Sequence, residues 1–236
     1  MFLKKITLCL SIVLVGSAFR SDVRTDQYTG YAYEEESKDL IYTEEFTDKF
    51  IDGKHTETLT QYFDPAHKQI AHRKLKFSER KFAPDFKTED LRTGYIEGAE
   101  VVDGKVKLFY RKDKNSQMKS KTIAVPEPMV IDGGFNQYIK SNWEQLLDGK
   151  VLTFYFTVSS RLDYFKMRAS KMSIKDEKMK VKIEPDKALI RWIADPIIVV
   201  YNTETKRIIS YEGKSNIADE HGENFDTKLV YPKKGP

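Results

Sequence analysis

Apolar and polar residues alternate with a period of two along most of the chain, the pattern of strands that bury one face. Leu40, Tyr42, Phe46 and Phe50 share one parity and run into Asp52-Gly53-Lys54, a two-residue hairpin signal. Segments 95–102 and 105–111 flank Asp103-Gly104 in the same way, and 56–63 and 69–78 flank a polar turn from Asp64 to Lys68. The N-terminal half therefore reads as an antiparallel meander. Further on, Leu152, Phe154, Phe156 and Val158 alternate with Val151, Thr153, Tyr155 and Thr157, so this segment is apolar or aromatic on both faces. Such a pattern predicts a strand central in its sheet. Phe165, Met167 and Ala169 share one parity and Met172 and Ile174 the other, which predicts a bulge near Ser170 and Lys171. Beyond a turn at 175–178, Met179, Val181 and Ile183 point one way and Lys178, Lys180 and Lys182 the other. A hairpin across 202–206 joins 197–201 to 207–213, and 227–231 supplies a last strand.

Two segments interrupt this rhythm. In 133–147 the residues Phe135, Tyr138, Ile139, Trp143, Leu146 and Leu147 fall on one face of a helix, with Lys140, Ser141, Glu144 and Gln145 on the other. Asp132 stands where an N-cap is expected and Gly149 where the helix should end. The second segment, 186–194, carries Leu189, Ile190, Trp192 and Ile193 before Pro196, and reads as a short helical piece or a buried strand. The expected fold is mainly β: an antiparallel curved sheet or half-barrel meander with one amphipathic helix at 133–147 and a short helical segment at 186–194.

The N-terminus departs from both patterns. Lys4 and Lys5 precede an apolar run from Ile6 to Val15, and Gly16 and Ala18 occupy the small-residue positions of a signal-peptidase site. The run is shorter than the roughly 20 residues a spanning helix needs. Residues 1–18 are thus expected to be a cleaved export signal, leaving 19–236 as a single β-rich domain that is periplasmic or secreted. Removing 1–18 takes away Cys9, the only cysteine, so thiol catalysis, disulfides and Cys-based metal sites are excluded from the remainder. It also leaves 38 basic against 36 acidic side chains, a balance that argues against nucleic acid as a partner. With 40% hydrophobic and 12% aromatic residues, the chain has enough apolar mass for a core.

The Asp132-Gly133-Gly134-Phe135 helix start, the strand 152–158, Glu184-Pro185-Asp186, the stretch 192–198 and the ending Tyr211-Glu212-Gly213-Lys214-Ser215-Asn216-Ile217 resemble a group of uncharacterised exported bacterial proteins. In outline the chain is also similar to periplasmic lipoprotein carriers and related lipid-binding half-barrels. There a curved antiparallel sheet wraps a helix over an apolar cavity. That likeness is one of architecture and assigns no residue a role.

Candidate chemistry is sparse. His55, His67, His72 and His221 lack metal-ligand spacing, and no nucleophile elbow or phosphate loop occurs. Ser159-Ser160-Arg161 reads as a strand-end turn, and the acidic loop from Asp219 to Asn224 lacks the alternation of calcium loops. Neither a metal nor a cofactor is expected, and no catalytic constellation is assembled. Lys166, Arg168, Lys171, Lys175, Lys178, Lys180 and Lys182 lie on two consecutive strands, as a polar sheet face or as an attractor for anionic surfaces. The aromatics Phe135, Tyr138, Trp143, Phe154, Phe156, Phe165 and Trp192 either fill a closed core or line a cavity for an apolar ligand. The expectation is an exported soluble binding or carrier protein for an apolar or lipid-like ligand or a lipidated partner. The alternative is a cell-envelope interaction or assembly protein with no small-molecule ligand.

Overall fold

The computed structural model describes residues 21–77, 80–188, 195–219 and 222–232. The expected export signal at 1–18 lies outside them, as do residues 189–194 of the second interrupted segment. Among the described residues no helix is long and apolar enough to cross a membrane.

The chain forms one large, curved, unclosed sheet of 15 strands. Eight come first: β1 (Val23–Glu34), β2 (Leu40–Ile51), β3 (Lys54–Phe63), β4 (Gln69–Lys76), β5 (Asp85–Asp90), β6 (Ile96–Val102), β7 (Lys105–Arg111) and β8 (Lys119–Ile123). Each pairs antiparallel with its predecessor, as the meander predicts. The two-residue turns are built as their sequences require. Asp52 and Gly53 have φ of 49° and 74°, and Asp103 and Gly104 have 49° and 76°, the left-handed geometry that matches the twist of a hairpin.

After β8 come β9 (Met129–Val130), the helices α1 (Gly134–Ser141) and α2 (Trp143–Leu147), and six more strands: β10 (Leu152–Val158), β11 (Asp163–Lys175), β12 (Lys178–Pro185), β13 (Ile197–Asn202), β14 (Ile208–Ala218) and β15 (Asn224–Val230). The strand order runs from β8 down to β1, then β15 down to β9, so β15 joins the two meanders by pairing with both β1 and β14. The strand 152–158 is therefore not central, as expected, but next to the end, flanked only by the two-residue parallel strand β9 and by β11. Its two-sided apolar character has another cause. Leu152 and Phe154 are buried toward the helices, while Tyr155 packs edge-on against Tyr164 on the other face, with ring centroids 5.7 Å apart.

The expected single helix is broken. Asn142 leaves helical geometry (φ −109°, ψ 23°), and its Nδ2 donates to the Tyr138 carbonyl at 2.9 Å. That local competition for a helix acceptor ends α1 one turn early. Asp132 does not cap α1 either, because its carboxylate is engaged with Arg73. The end is as expected: Gly149 sits at φ 80°, with its N–H on the Leu146 carbonyl and the Lys150 N–H on that of Gln145.

The predicted apolar helix face is the buried one. Tyr138, Ile139, Trp143 and Leu146 pack with Phe154, Met179, Val181, Val199 and Tyr201 of β10 to β13. A second core joins Met129 and Ile131 to Leu75, Phe86, Ala99, Val106 and Leu108 of the first meander. The β9–α1 segment thus fills the concave side and touches both halves of the sheet. A tie at the far end is made by Ser159, whose Oγ donates to the Gly98 carbonyl at 2.9 Å, so the Ser159–Arg161 turn is a structural contact. In β11 the bulge falls between Lys171 and Ser173, slightly beyond the expected site. It does not bury the apolar residues around it: Met172 and Ile174 are 54% and 48% exposed, because the hairpin tip extends past the helices that cover the rest of β11.

Candidate binding cavity

A cavity of about 720 Å³ opens on the concave face, within the range of about 300–1,000 Å³ typical of small-molecule sites. One wall is apolar, formed by Phe135 of α1, Phe154 and Phe156 of β10, Met167, Ile183 and Ile197. Of the aromatics singled out in the sequence, Phe135, Phe154 and Phe156 line this cavity. Tyr138 and Trp143 are core residues instead. The Tyr138 hydroxyl donates to the Thr153 carbonyl at 2.9 Å, and Trp143 sets its ring edge-on to Tyr201 at 5.7 Å. Phe165 stands opposite Phe156 in the β10–β11 register but outside the lining, and Trp192 is not among the described residues.

The opposite wall is polar, and the sequence marked only Asp132, as a helix cap, His55, as a histidine without ligand spacing, and Lys140, on the polar helix face, among its residues. At its base Arg73 pairs with Asp132 at 3.3 Å, and both side chains are nearly buried. Glu44, 2% exposed, accepts a hydrogen bond from the Tyr231 hydroxyl at 3.2 Å. Burial pushes the Glu44 carboxyl up to about 7, against the pull of the Arg73 guanidinium and the Tyr231 hydroxyl. The Tyr62 and Tyr231 phenols are likewise driven upward by burial and stay protonated. Arg73 Nε at this wall, and Thr60 Oγ1 of its cross-strand partner, are buried with no hydrogen-bond partner among the described residues.

Nearer the mouth, Asp48 accepts from Thr58 Oγ1 at 2.6 Å and faces His55 Nε2 at 3.3 Å. These contacts hold the Asp48 carboxyl below its ordinary range although burial works the other way. His55 is clamped between the Phe50 and Phe77 rings, with centroids at 5.0 and 4.5 Å, and its Nδ1 lies 3.4 Å from Gln137 Nε2. A threonine, a histidine and an aspartate meet here, but both Asp48 and Thr58 sit on the same ring nitrogen. The relay that activates a hydroxyl needs acid and nucleophile on opposite nitrogens, so the trio is a structural clasp.

Helix α1 contributes a second face to this wall. Asn136, Gln137 and Lys140 all line the cavity. Lys140 was expected on the solvent face of the helix, but the inward curve of β1–β3 brings the cavity round to it. Burial lowers its amine, with Arg207 and Lys81 pushing the same way and Asp48 pulling back.

The lysine-rich strands divide into two zones. Lys166 pairs with Asp186 at 3.0 Å, and Arg168 and Lys182 both pair with Glu184, at 2.5 and 3.2 Å. Lys171 turns inward and donates to the Leu147 carbonyl at 2.5 Å. Lys175, Lys178 and Lys180, around the β11–β12 tip, make neither an ion pair nor a side-chain hydrogen bond among the described residues. In the acidic loop, Asp219 caps its own turn by accepting from the Glu223 N–H at 2.9 Å. No group of three metal-ligating side chains occurs among the described residues.

Comparison with protein-family models, with curated proteins and with solved structures finds no match.

Proposed function

We propose that the protein binds a molecule with an apolar body in its concave cavity and acts outside the cytoplasm as a binding or carrier protein. The observation that carries this reading is the cavity itself. A closed core would interdigitate at the density of an organic crystal, whereas here Phe135, Phe156 and Met167 line open space. An apolar body placed there removes surface from water on both partners, worth roughly 25 cal/mol for each Å². The basic start and small-residue end of 1–18 support an exported location, and the outline of a curved sheet around a helix supports a lipid-like ligand.

The test is binding of an environment-sensitive apolar fluorophore, together with mass spectrometry of lipid extracted from the purified protein. Wild type is expected to bind the probe or to carry lipid that competes with it. Met167→Trp, which fills the middle of the apolar wall, should lose binding while its circular dichroism is unchanged. Absence of both probe binding and extractable lipid in folded wild-type protein would remove the proposal.

A second reading, interaction with an envelope surface, is favoured by the β11–β12 tip, where exposed Met172 and Ile174 adjoin Lys175, Lys178 and Lys180, which have no ion-pair partner among the described residues. Crosslinking from position 174 in cells is expected to capture a defined neighbour if that reading holds, and no adduct if it does not.

A further inference from the structure

Two cations at the cavity mouth stand out from every other charge in the lining. Arg73 has Asp132, Lys214 has Asp226 at 2.8 Å, Asp26 has Arg24 at 3.6 Å, Glu44 has the Tyr231 hydroxyl, and Asp48 has His55 and Thr58. Lys140 and Arg207 line the same cavity and have no carboxylate within 4.0 Å among the described residues. They are also near enough to repel each other, and Lys81, which donates to Ser141 Oγ at 3.0 Å, adds a third positive charge beside them. Half-buried Lys140 and exposed Arg207 thus offer an entering anion two positive charges that no carboxylate of the described residues already holds as an ion pair. Asp48, the acid whose charge acts on Lys140, is occupied by Thr58 and His55 and does not reach Lys140 as an ion pair.

Apolar lining residues lie on the same elements as these cations or next to them in the chain, Phe135 on α1 with Lys140 and Ile208 beside Arg207. An amphiphile entering with its tail toward Phe154 and Phe156 therefore leaves its head at the mouth. We infer that the ligand is an amphiphile with an anionic head, carboxylate or phosphate, held by Lys140 and Arg207 while its single tail lies along Phe135, Phe154 and Phe156. This rests on the cavity-binding proposal above and specifies its ligand.

The two are separated by titrating the delipidated full protein with straight-chain probes of one length and four heads: carboxylate, phosphate monoester, alcohol and trimethylammonium. At least one anionic probe should bind tenfold or more tighter than the alcohol, and the trimethylammonium probe weakest of all. The carboxylate and phosphate arms then tell which oxyanion the mouth prefers. In Lys140→Gln/Arg207→Gln the anionic advantage should fall to threefold or less while alcohol affinity is retained, which also reports that the variant is folded. Equal affinity for all four heads, or an anionic preference that survives the double substitution, overturns the head assignment and leaves the apolar site standing. Failure of all four probes to bind overturns both.

Discussion

Three charged residues in the interior, Glu44, Arg73 and Asp132, set how the protein responds to pH and to substitution. Glu44 is an acid whose folded-state value, about 7, lies above that of an unfolded chain, so the native state holds an extra proton between roughly pH 4.5 and 7. Stability should therefore fall as pH rises through that window and level off above it. Glu97, bonded to the Tyr95 hydroxyl at 2.9 Å and also raised to about 7 by burial, adds a second increment of the same sign. Urea titrations at pH 5, 6.5 and 8 should show this decline in wild type, and Glu44→Gln should lose roughly half of its slope. Arg73 is a different case, since removing one member of a buried pair strands the other. Arg73→Met is expected to cost about 3 kcal/mol, and the double variant with Asp132→Asn should recover part of it, read from denaturant midpoints. Glu44, Arg73 and the nearby Asp48 carry a signal in the sequence. Glu44 and Asp48 share the parity of Tyr42, Phe46 and Phe50, and Arg73 that of Leu75 and Phe77, so each is a charge on an otherwise apolar strand face. A charge at such a position is either a misassigned strand or part of a buried polar site.

At the scale of elements, local chemistry was legible and position was not. The hairpins at Asp52-Gly53 and Asp103-Gly104 follow from two residues that accept positive φ, and the buried helix face follows from spacing alone. The break at Asn142 and the end position of β10 depend on a side chain's choice of partner and on long-range pairing order, neither of which a one-dimensional pattern contains. The β9–α1 segment holds the most sensitive contact. A methyl group on Gly134 would run into the Phe82 carbonyl oxygen, and backbone cannot step aside as a flexible side chain does. Gly134→Ala should therefore destabilise by about 1–3 kcal/mol and undock α1, seen as lost thermal stability together with weaker probe binding. Gly53→Ala, which meets nothing within 4 Å and suffers only its positive φ of 74°, should cost about 1 kcal/mol and leave binding intact.

At the scale of the molecule, two meanders meet at β15, and the β9–α1 segment packs against both of them. Class and curvature were readable because many short alternating strands around one amphipathic helix have few ways to bury their faces. The existence of a hollow was not readable, because the same aromatics can fill a core or line a void, and the outcome depends on how far the sheet bends. The sheet's end strands do not pair with each other: Ser159 reaches Gly98 by one hydrogen bond, with no ladder behind it. In a closed barrel, strand number and shear fix the bore. An open scroll has no such constraint: the Ser159–Gly98 bond, the Arg92 bond to the Ala218 carbonyl and the Ile131–Phe82 backbone bond cross it without a ladder, so a small change of curvature breaks no rung between neighbouring strands. Affinity across alcohols of one chain length and increasing branching should accordingly change gradually with width, as calorimetry would show, instead of ending at one cutoff. The girth of the guest is left for the guest to set.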